Sequence, residues 1–395
     1  MQKIVLACGK YQYGIPQRGL GTEFVSFVPA LESLGYEVLI FDVLQKDLYQ
    51  DYAELNQKLL DLCIKEKPKA LISVQLQYEI WSETLAILRH NLGIVTFLWS
   101  TDDSFKYHSF SKPMSQWFSW VITTYAYRLE NYNKDGIKNV LLSQWATDKN
   151  NLLEPKAATQ CRYRVSFVGA AHGNRKKIVN QLREKGIHVD CFGHGWDNGP
   201  VSAGDVFSIM NDSWVSLNFS NSSGMNQIKA RIFEATGAGA CLVSEDARDI
   251  DRFLVPGEEI VLYKRVEDCA QKISSLLENP EKRDEIANKA YLKTKMEHTY
   301  TQRFSKILKG IEEFQSRDLN EEALEKMRFC INNYKTIRWY DPLVLFLARI
   351  LDLVFGHPRG HRATRRILLE VLSRLNPGHV YSSSSLPARK FYEHS

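Results

Sequence analysis

Gly224-Met225-Asn226-Gln227-Ile228-Lys229-Ala230-Arg231-Ile232-Phe233-Glu234-Ala235-Thr236-Gly237-Ala238-Gly239-Ala240-Cys241-Leu242-Val243-Ser244 reads as a loop, a helix and a strand in succession. The apolar spacing predicts a helix over Gln227–Thr236, and Ala240–Ser244 is a short apolar run of strand type. A Ser/Gly-rich loop that feeds a helix leaves backbone N–H groups free at the helix's positive end, where an anion is stabilised. Lys229 and Arg231 add charge beside it. A diphosphate suits such a place. Glu234, expected about two turns into the helix, offers a carboxylate to two adjacent ribose hydroxyls.

On either side of this segment, short apolar runs alternate with helix-period segments, the pattern of parallel strands joined by crossover helices. Strands are expected at Lys3–Cys8, Glu37–Asp42, Ala70–Val74, Ile94–Trp99, Trp120–Thr124 and Asn139–Leu142. A polar stretch around Asn150–Arg162, with Pro155, reads as a linker. A second series follows it: Tyr163–Val168, His188–Phe192, Trp214–Phe219, Ala240–Ser244 and Ile260–Leu262. The charged stretch Pro280–Phe314 is expected to be helical. The expected domains are thus 1–155 and 160–315, both Rossmann-like α/β, and a helical basic extension over 320–395.

Two glycine loops of the second half stand out, and the first has the form of a phosphate cradle. Val168 leads into Gly169-Ala170-Ala171-His172-Gly173-Asn174-Arg175, a strand, a glycine loop and a helix start in sequence. Arg175 together with Lys229 or Arg231 would neutralise charge developing on a leaving diphosphate, while Lys176 and Lys177 are expected to be solvated. Phe192-Gly193-His194-Gly195-Trp196 is a second glycine-containing loop, following the next strand.

The segment 163–310 resembles the donor half of nucleotide-sugar glycosyltransferases, in particular the CgeB-like (spore maturation protein-like) glycosyl transferases group 1 family. The resemblance rests on Arg231-Ile232-Phe233-Glu234-Ala235, Gly239 and Leu242, then Pro256-Gly257-Glu258-Glu259-Ile260-Val261, then Glu297-His298-Thr299-Tyr300 and Arg303. It implies a GT-B fold, two Rossmann-like domains facing across a cleft, and sugar transfer from a nucleotide-diphosphate sugar to an acceptor hydroxyl. It also implies a reaction without catalytic metal or cofactor, the nucleotide sugar being a co-substrate. Donor contacts are expected from Gly169, His172, Gly173, Gly193, Gly224, Asn226 and Glu234, and leaving-group stabilisation from Arg175, Lys229 and Arg231. Many retaining GT-B enzymes have a Glu-x7-Glu motif, and here Asn226 stands at its first position, so donor sugar and stereochemistry stay open. A sugar-nucleotide epimerase on the same scaffold, or a non-catalytic nucleotide- or glycan-binding protein of a surface or coat layer, are the rival readings.

In the first half, ligands of open α/β sheets bind at the carboxyl ends of strands. Trp99-Ser100-Thr101-Asp102-Asp103 ends the fourth strand. Asp102 or Asp103 would take the proton of the acceptor hydroxyl, or orient the acceptor if the donor phosphate takes it. The glycines at 9, 14, 19 and 21, with Arg18 among them, lack dinucleotide-binding spacing and read as an acceptor-side loop.

Composition fits a globular enzyme. The 395 residues are 44% hydrophobic and 25% charged, with 22 Gly and 12 Pro, which excludes a disordered, collagenous or coiled-coil chain. Seven scattered cysteines show neither metal-ligand nor C-x-x-C spacing and read as reduced core thiols. Met1-Gln2-Lys3 runs straight into Ile4-Val5-Leu6-Ala7, which reads as a first strand rather than a secretory signal, so a cytoplasmic protein is expected. The formal charge of +5 gathers in the tail, where residues 341–395 hold eight Lys/Arg against four acids. A nucleic acid is therefore not the expected partner. The apolar run 339–355 is interrupted by Arg349 and Asp352, too short and charged for a transmembrane span. It would either lie in a membrane interface with its following arginines over anionic headgroups, favouring a glycolipid or envelope-glycan acceptor, or pack on the body.

Overall fold

A computed structural model describes residues 1–76, 79–220, 226–313, 321–332, 341–357 and 359–375. The chain divides into two compact units, Met1–Gln144 with the chain from Lys306 onward, and Trp145–Ser305.

In the first unit β1 (Gln2–Cys8), β2 (Tyr36–Asp42), β3 (Ala70–Ser73), β4 (Val95–Ser100), β5 (Trp120–Thr123) and β6 (Val140–Leu142) form one sheet in the order β2-β1-β3-β4-β5-β6. All its pairings are parallel. Ile4, Val5, Leu6 and Ala7 are wholly buried, as strands covered on both faces must be. Helices α1 (Thr22–Glu32), α2 (Tyr52–Glu66) and α3 (Ser82–His90) make the crossovers. Asp51 caps α2 by accepting from Glu54 N at 2.8 Å.

The second unit repeats the plan with β7 (Tyr163–Val168), β8 (Asp190–Phe192), β9 (Ser213–Asn218), β10 (Leu242–Glu245) and β11 (Val261–Tyr263), ordered β11-β10-β9-β7-β8 and again parallel. Its helices are α4 (Arg175–Glu184), α5 (Ala203–Asn211), α6 (Ala230–Gly237), α7 (Val266–Glu278), α8 (Pro280–Glu297) and α9 (Tyr300–Ile307). Arg283 of α8 is fully buried. It donates to the carbonyls of Ser213, Trp214 and Lys156 at 2.6–2.7 Å, tying the segment before β7 to the start of β9.

The expected continuous helix over 280–314 is broken at His298. There Thr147 N donates to His298 O and Tyr300 N to Thr147 O, so a passing strand takes up the backbone groups a helix would use.

After α9 the chain rejoins the first unit. Trp120 Nε1 donates to Gly310 O at 2.9 Å, and Leu324 and Ile331 of α10 (Glu321–Asn332) enter the first unit's core. Helices α11 (Asp341–Phe355) and α12 (Arg359–Leu375) form an antiparallel hairpin, with α12 against the Tyr107–Ser111 turn. Among the described residues no helix is long and apolar enough to cross a membrane.

Candidate active site

In the second unit the strand order reverses between β7 and β9: β8 lies on one side of β7 while the chain continues on the other. The carboxyl ends flanking such a switch point open a crevice that backbone cannot fill. The loop after β7 ends in Arg175, the first residue of α4, and the loop after β9 ends in Lys229, just before α6. Topology therefore brings together two sequence segments more than fifty residues apart.

Arg175 is only 8% exposed. Its side chain turns back over its own loop, Nη1 donating to Ala170 O at 2.8 Å and lying 3.3 Å from His172 Nδ1. The guanidinium lies 5.4 and 5.9 Å from the ring centroids of Phe167 and Phe219, which end β7 and follow β9. Its buried Nε makes no hydrogen bond among the described residues.

The electrostatics show the convergence directly. Burial and then Arg175 push the Lys229 ammonium below its ordinary value, with Glu245 opposing. Burial lowers Arg175, Glu245 raises it, and Arg231 lowers it again. Burial, Arg175 and Lys229 together push the His172 imidazole down, so it is neutral at pH 7. Three cationic side chains and a neutral histidine thus share one neighbourhood, with Glu245 as a compensating carboxylate.

Sequence reasoning missed Glu245. It ends β10, accepts from Ser220 N at 2.8 Å, and adjoins a buried knot of Asn218, Ser220 and Ser244. Its place at a strand's carboxyl end beside the switch point was its only signal.

The other residues expected to contact a donor are placed as follows. Gly193 has φ +128°, and a Cβ there would lie 2.4 Å from Gly169 O, so only glycine lets the β8 loop meet the β7 loop. Ala171 N donates to His194 O and Trp196 Nε1 to Gly169 O, both at 2.8 Å, joining the two loops into one wall. Gly173 is exposed with φ +64°. Lys176 and Lys177 are exposed. Asn226 donates its amide to Asp246 O at 2.8 Å. Gly224 lies outside the described residues. Helix α6 begins at Ala230, with Gln227 N held by Ser220 O and Lys229 extended. Glu234 therefore stands one turn into the helix, where it pairs with Arg231 at 3.1 Å.

The E-H-T-Y segment builds scaffold. His298 Nε2 donates to Phe253 O and its Nδ1 accepts from Arg303 Nη2, both at 2.8 Å. Arg303 in turn lies over the rings of Phe233 and Phe253.

In the first unit Asp102 and Asp103 part company. Asp103 is wholly buried, its carboxylate accepting from the hydroxyls of Ser100, Ser111 and Tyr132. Arg128 donates to the carbonyls of Asp103 and Ser104, fixing the turn. Asp102 keeps 35% of its side chain exposed and pairs with Lys106 at 3.1 Å. Glu23, at the start of α1, is a second acid of this edge that sequence reading passed over. Burial, with repulsion from Asp102, raises its carboxyl above the ordinary range. The 9–21 segment is an ordered loop closed by Gly21 N to Lys10 O at 2.8 Å.

Comparison with solved structures decides the architecture. The fold is GT-B. HepE of Anabaena, solved in complex with UDP, superposes with a TM-score of 0.56 at 13% identity, over 80% of this chain and 100% of that one. Sucrose-phosphate synthase from Thermosynechococcus elongatus gives 0.54 at 10% identity, over 79% and 100%. A glycosyltransferase from Rickettsia africae gives 0.58 at 10% identity, over 79% and 98%. A glycosyl transferase-like family model matches residues 175–309, about a third of the chain, which spans Arg175, Lys229, Arg231, Glu234 and Glu245. No curated protein matches the sequence.

Proposed function

We propose that this protein is a metal-independent glycosyltransferase of the CgeB-like branch. It moves a hexose from a nucleotide-diphosphate sugar to an acceptor hydroxyl of a glycan, glycolipid or protein. One observation carries the reading: the nearly buried Arg175 guanidinium, with an unpartnered Nε, shares the β7–β9 edge with Lys229 and Arg231. Such an excess of positive charge is costly alone and favourable against a diphosphate. The GT-B fold and the family match support it, as does the UDP held by HepE.

In this reading the backbone N–H groups ahead of α6 and the three cations take the diphosphate. The loops carrying Gly169, His172, Gly173 and Gly193 cradle it, Asn226 lies near the sugar, and Glu234 leaves Arg231 to accept from the ribose. As the glycosidic bond breaks, negative charge grows on the leaving diphosphate, and donors already in place stabilise it without reorganisation. Asp102 of the first unit takes the proton of the acceptor hydroxyl, or orients that hydroxyl while the donor phosphate takes the proton, and Asp103 holds the turn that presents Asp102.

The test is a thermal-shift panel of UDP-, GDP-, dTDP- and CMP-linked ligands. A ligand at 100 times its dissociation constant stabilises by about 2.7 kcal/mol, and Arg175→Gln should abolish the shift. No shift with any nucleotide overturns the proposal. Donor turnover without acceptor would favour the epimerase, and binding without turnover the non-catalytic protein.

The tail carries a further part of this reading, in which the protein works at the cytoplasmic membrane face. On α11 the side chains of Leu343, Phe346, Leu353 and Val354 are 59–89% exposed, and Arg349, Arg359, Arg362 and Arg366 are exposed on the same hairpin. Apolar side chains over acyl tails and arginines over anionic headgroups suit an interfacial hairpin. Sedimentation with phosphatidylglycerol vesicles, lost in Phe346→Ser/Leu353→Ser, is the expected result. Equal binding to neutral vesicles, or none, refutes it.

A further inference from the structure

The turn between α11 and α12 gathers three metal-ligating side chains that the transfer reaction does not use. Asp352 stands one turn before the end of α11, His357 lies in the connection, and His361 is in the first turn of α12. Asp352 Oδ2 lies 3.1 Å from His357 Nδ1 and 2.7 Å from His361 Nδ1, and the three donor atoms all fall within 4.8 Å of one another. The imidazoles meet edge to face, with ring centroids 5.2 Å apart and planes at 83°. Two ligands about 2.1 Å from a tetrahedral ion stand about 3.4 Å apart, so the cluster is close to a ligand set already.

Two features set it apart from a chance surface grouping. First, the backbone is built to make the approach. Gly356 turns the chain with φ +77°, and a Cβ on Gly360 would fall 2.1 Å from Asp352 N, so α12 can start against Asp352 only through glycine. Asp352 Oδ1 accepts from His361 N at 3.2 Å, which orients the carboxylate and leaves Oδ2 toward the imidazoles. Secondly, His361 Nδ1 is buried and lies 2.7 Å from Asp352 Oδ2, the same oxygen that faces His357 Nδ1 at 3.1 Å. Two imidazole nitrogens converging on one carboxylate oxygen form a ligand set that a shared ion suits.

We propose that Asp352, His357 and His361 bind a borderline divalent cation, Zn2+ in kind, that clips α11 to α12. Two imidazoles and one carboxylate select zinc-like ions over Mg2+ and Ca2+, which prefer oxygen sets. His357 is 74% exposed, so solvent completes the coordination. The ion would order the hairpin that presents the apolar side chains and arginines, making tail structure dependent on metal.

The test uses full-length protein without a histidine tag, stripped of metal and titrated with Co2+ and then Zn2+. One equivalent of Co2+ should bind with the intense visible bands of a tetrahedral site, and Zn2+ should displace it. Zn2+ should raise the melting temperature of the wild type in a dose-dependent way. His357→Ala, on an exposed residue that folding does not need, and Asp352→Asn, which keeps the acceptor for His361 N, should each weaken binding at least tenfold and remove the thermal shift. His188→Ala, beside Asp190 at 3.4 Å on an exposed surface, should change nothing. Absence of stoichiometric uptake, or uptake undiminished in His357→Ala and Asp352→Asn, overturns the proposal and leaves an imidazole–carboxylate contact without metal. Nucleotide thermal shifts on the same samples are independent of either outcome.

Discussion

His298 offers a quantitative test of how the second unit is held together. It is 3% exposed, donates to Phe253 O, and uses its other nitrogen to accept from Arg303. Burial and the neighbouring Arg303 hold the imidazole at about 4 against the ordinary 6.5. A base whose folded value lies below its unfolded value binds more protons when unfolded, so stability is complete above pH 6.5 and falls as pH drops toward 4. The shift corresponds to about 3 kcal/mol fully developed, of which about 2 kcal/mol is lost by pH 5. The perturbation is His298→Gln, which keeps an amide donor and acceptor but cannot titrate. Urea unfolding at pH 7.5 and pH 5 should show the wild type losing about 2 kcal/mol more than the variant over that interval. Nucleotide binding at pH 7.5 should survive in the variant. Equal losses in the two proteins would refute the argument, because every other titrating group is common to both.

The proposed donor and acceptor roles make further predictions. Arg175→Lys keeps charge but not the planar fork, and should weaken nucleotide binding by about 1–3 kcal/mol, measured by calorimetry; unchanged affinity would remove Arg175 from the site. Since Arg175 and Lys229 help hold His172 neutral, a bound diphosphate should raise that histidine, so nucleotide binding takes up protons and tightens as pH falls through the His172 range. Calorimetry in buffers of different ionisation enthalpy detects the uptake, which His172→Ala should remove. Asp103→Ala leaves three hydroxyls without their shared acceptor and should cost about 2–4 kcal/mol of stability by urea unfolding. Asp102→Asn should cost under 1 kcal/mol by the same measurement yet lower transferase turnover strongly.

The strands were legible because parallel strands covered on both faces are written as short apolar-rich runs: Tyr163–Val168, with only Arg164 and Ser166 polar within it, appears where its composition places it, and the others agree to within two residues at their ends. Helix starts were less so. Gln227 carries the right periodicity but gives its N–H to Ser220 O, and α6 begins three residues later. The break at His298 is invisible in sequence because its cause, Thr147, lies about 150 residues away. Of the site, the cations were readable because charge beside a glycine loop has few other uses. Glu245 and Glu23 were not, since a lone acid after a strand gains meaning only when topology shows what it faces. For the same reason Asp102 and Asp103 were indistinguishable as a pair, and only the hydroxyls around Asp103 separate them.

Charge balance ties these observations to the proposed chemistry. Arg175 is nearly buried and Lys229 and Arg231 stand beside it. Arg231 has a partner in Glu234, and Glu245 faces both Arg175 and Lys229. Three cations beside two carboxylates leave the edge positive among the described residues, and like charges held close destabilise the protein that carries them. Hydrophobic replacement at Arg175 should therefore stabilise the folded chain while removing nucleotide binding, a trade expected where a site is shaped for a ligand rather than for the fold. A fold-serving cluster would behave in the opposite way, since removing one member would strand its partner. Arg283, whose guanidinium is spent on three carbonyls, is that contrasting case. Arg283→Leu should unfold the second unit, whereas Arg175→Leu should raise its melting temperature, and a destabilised Arg175→Leu would contradict the assignment of that charge to a ligand.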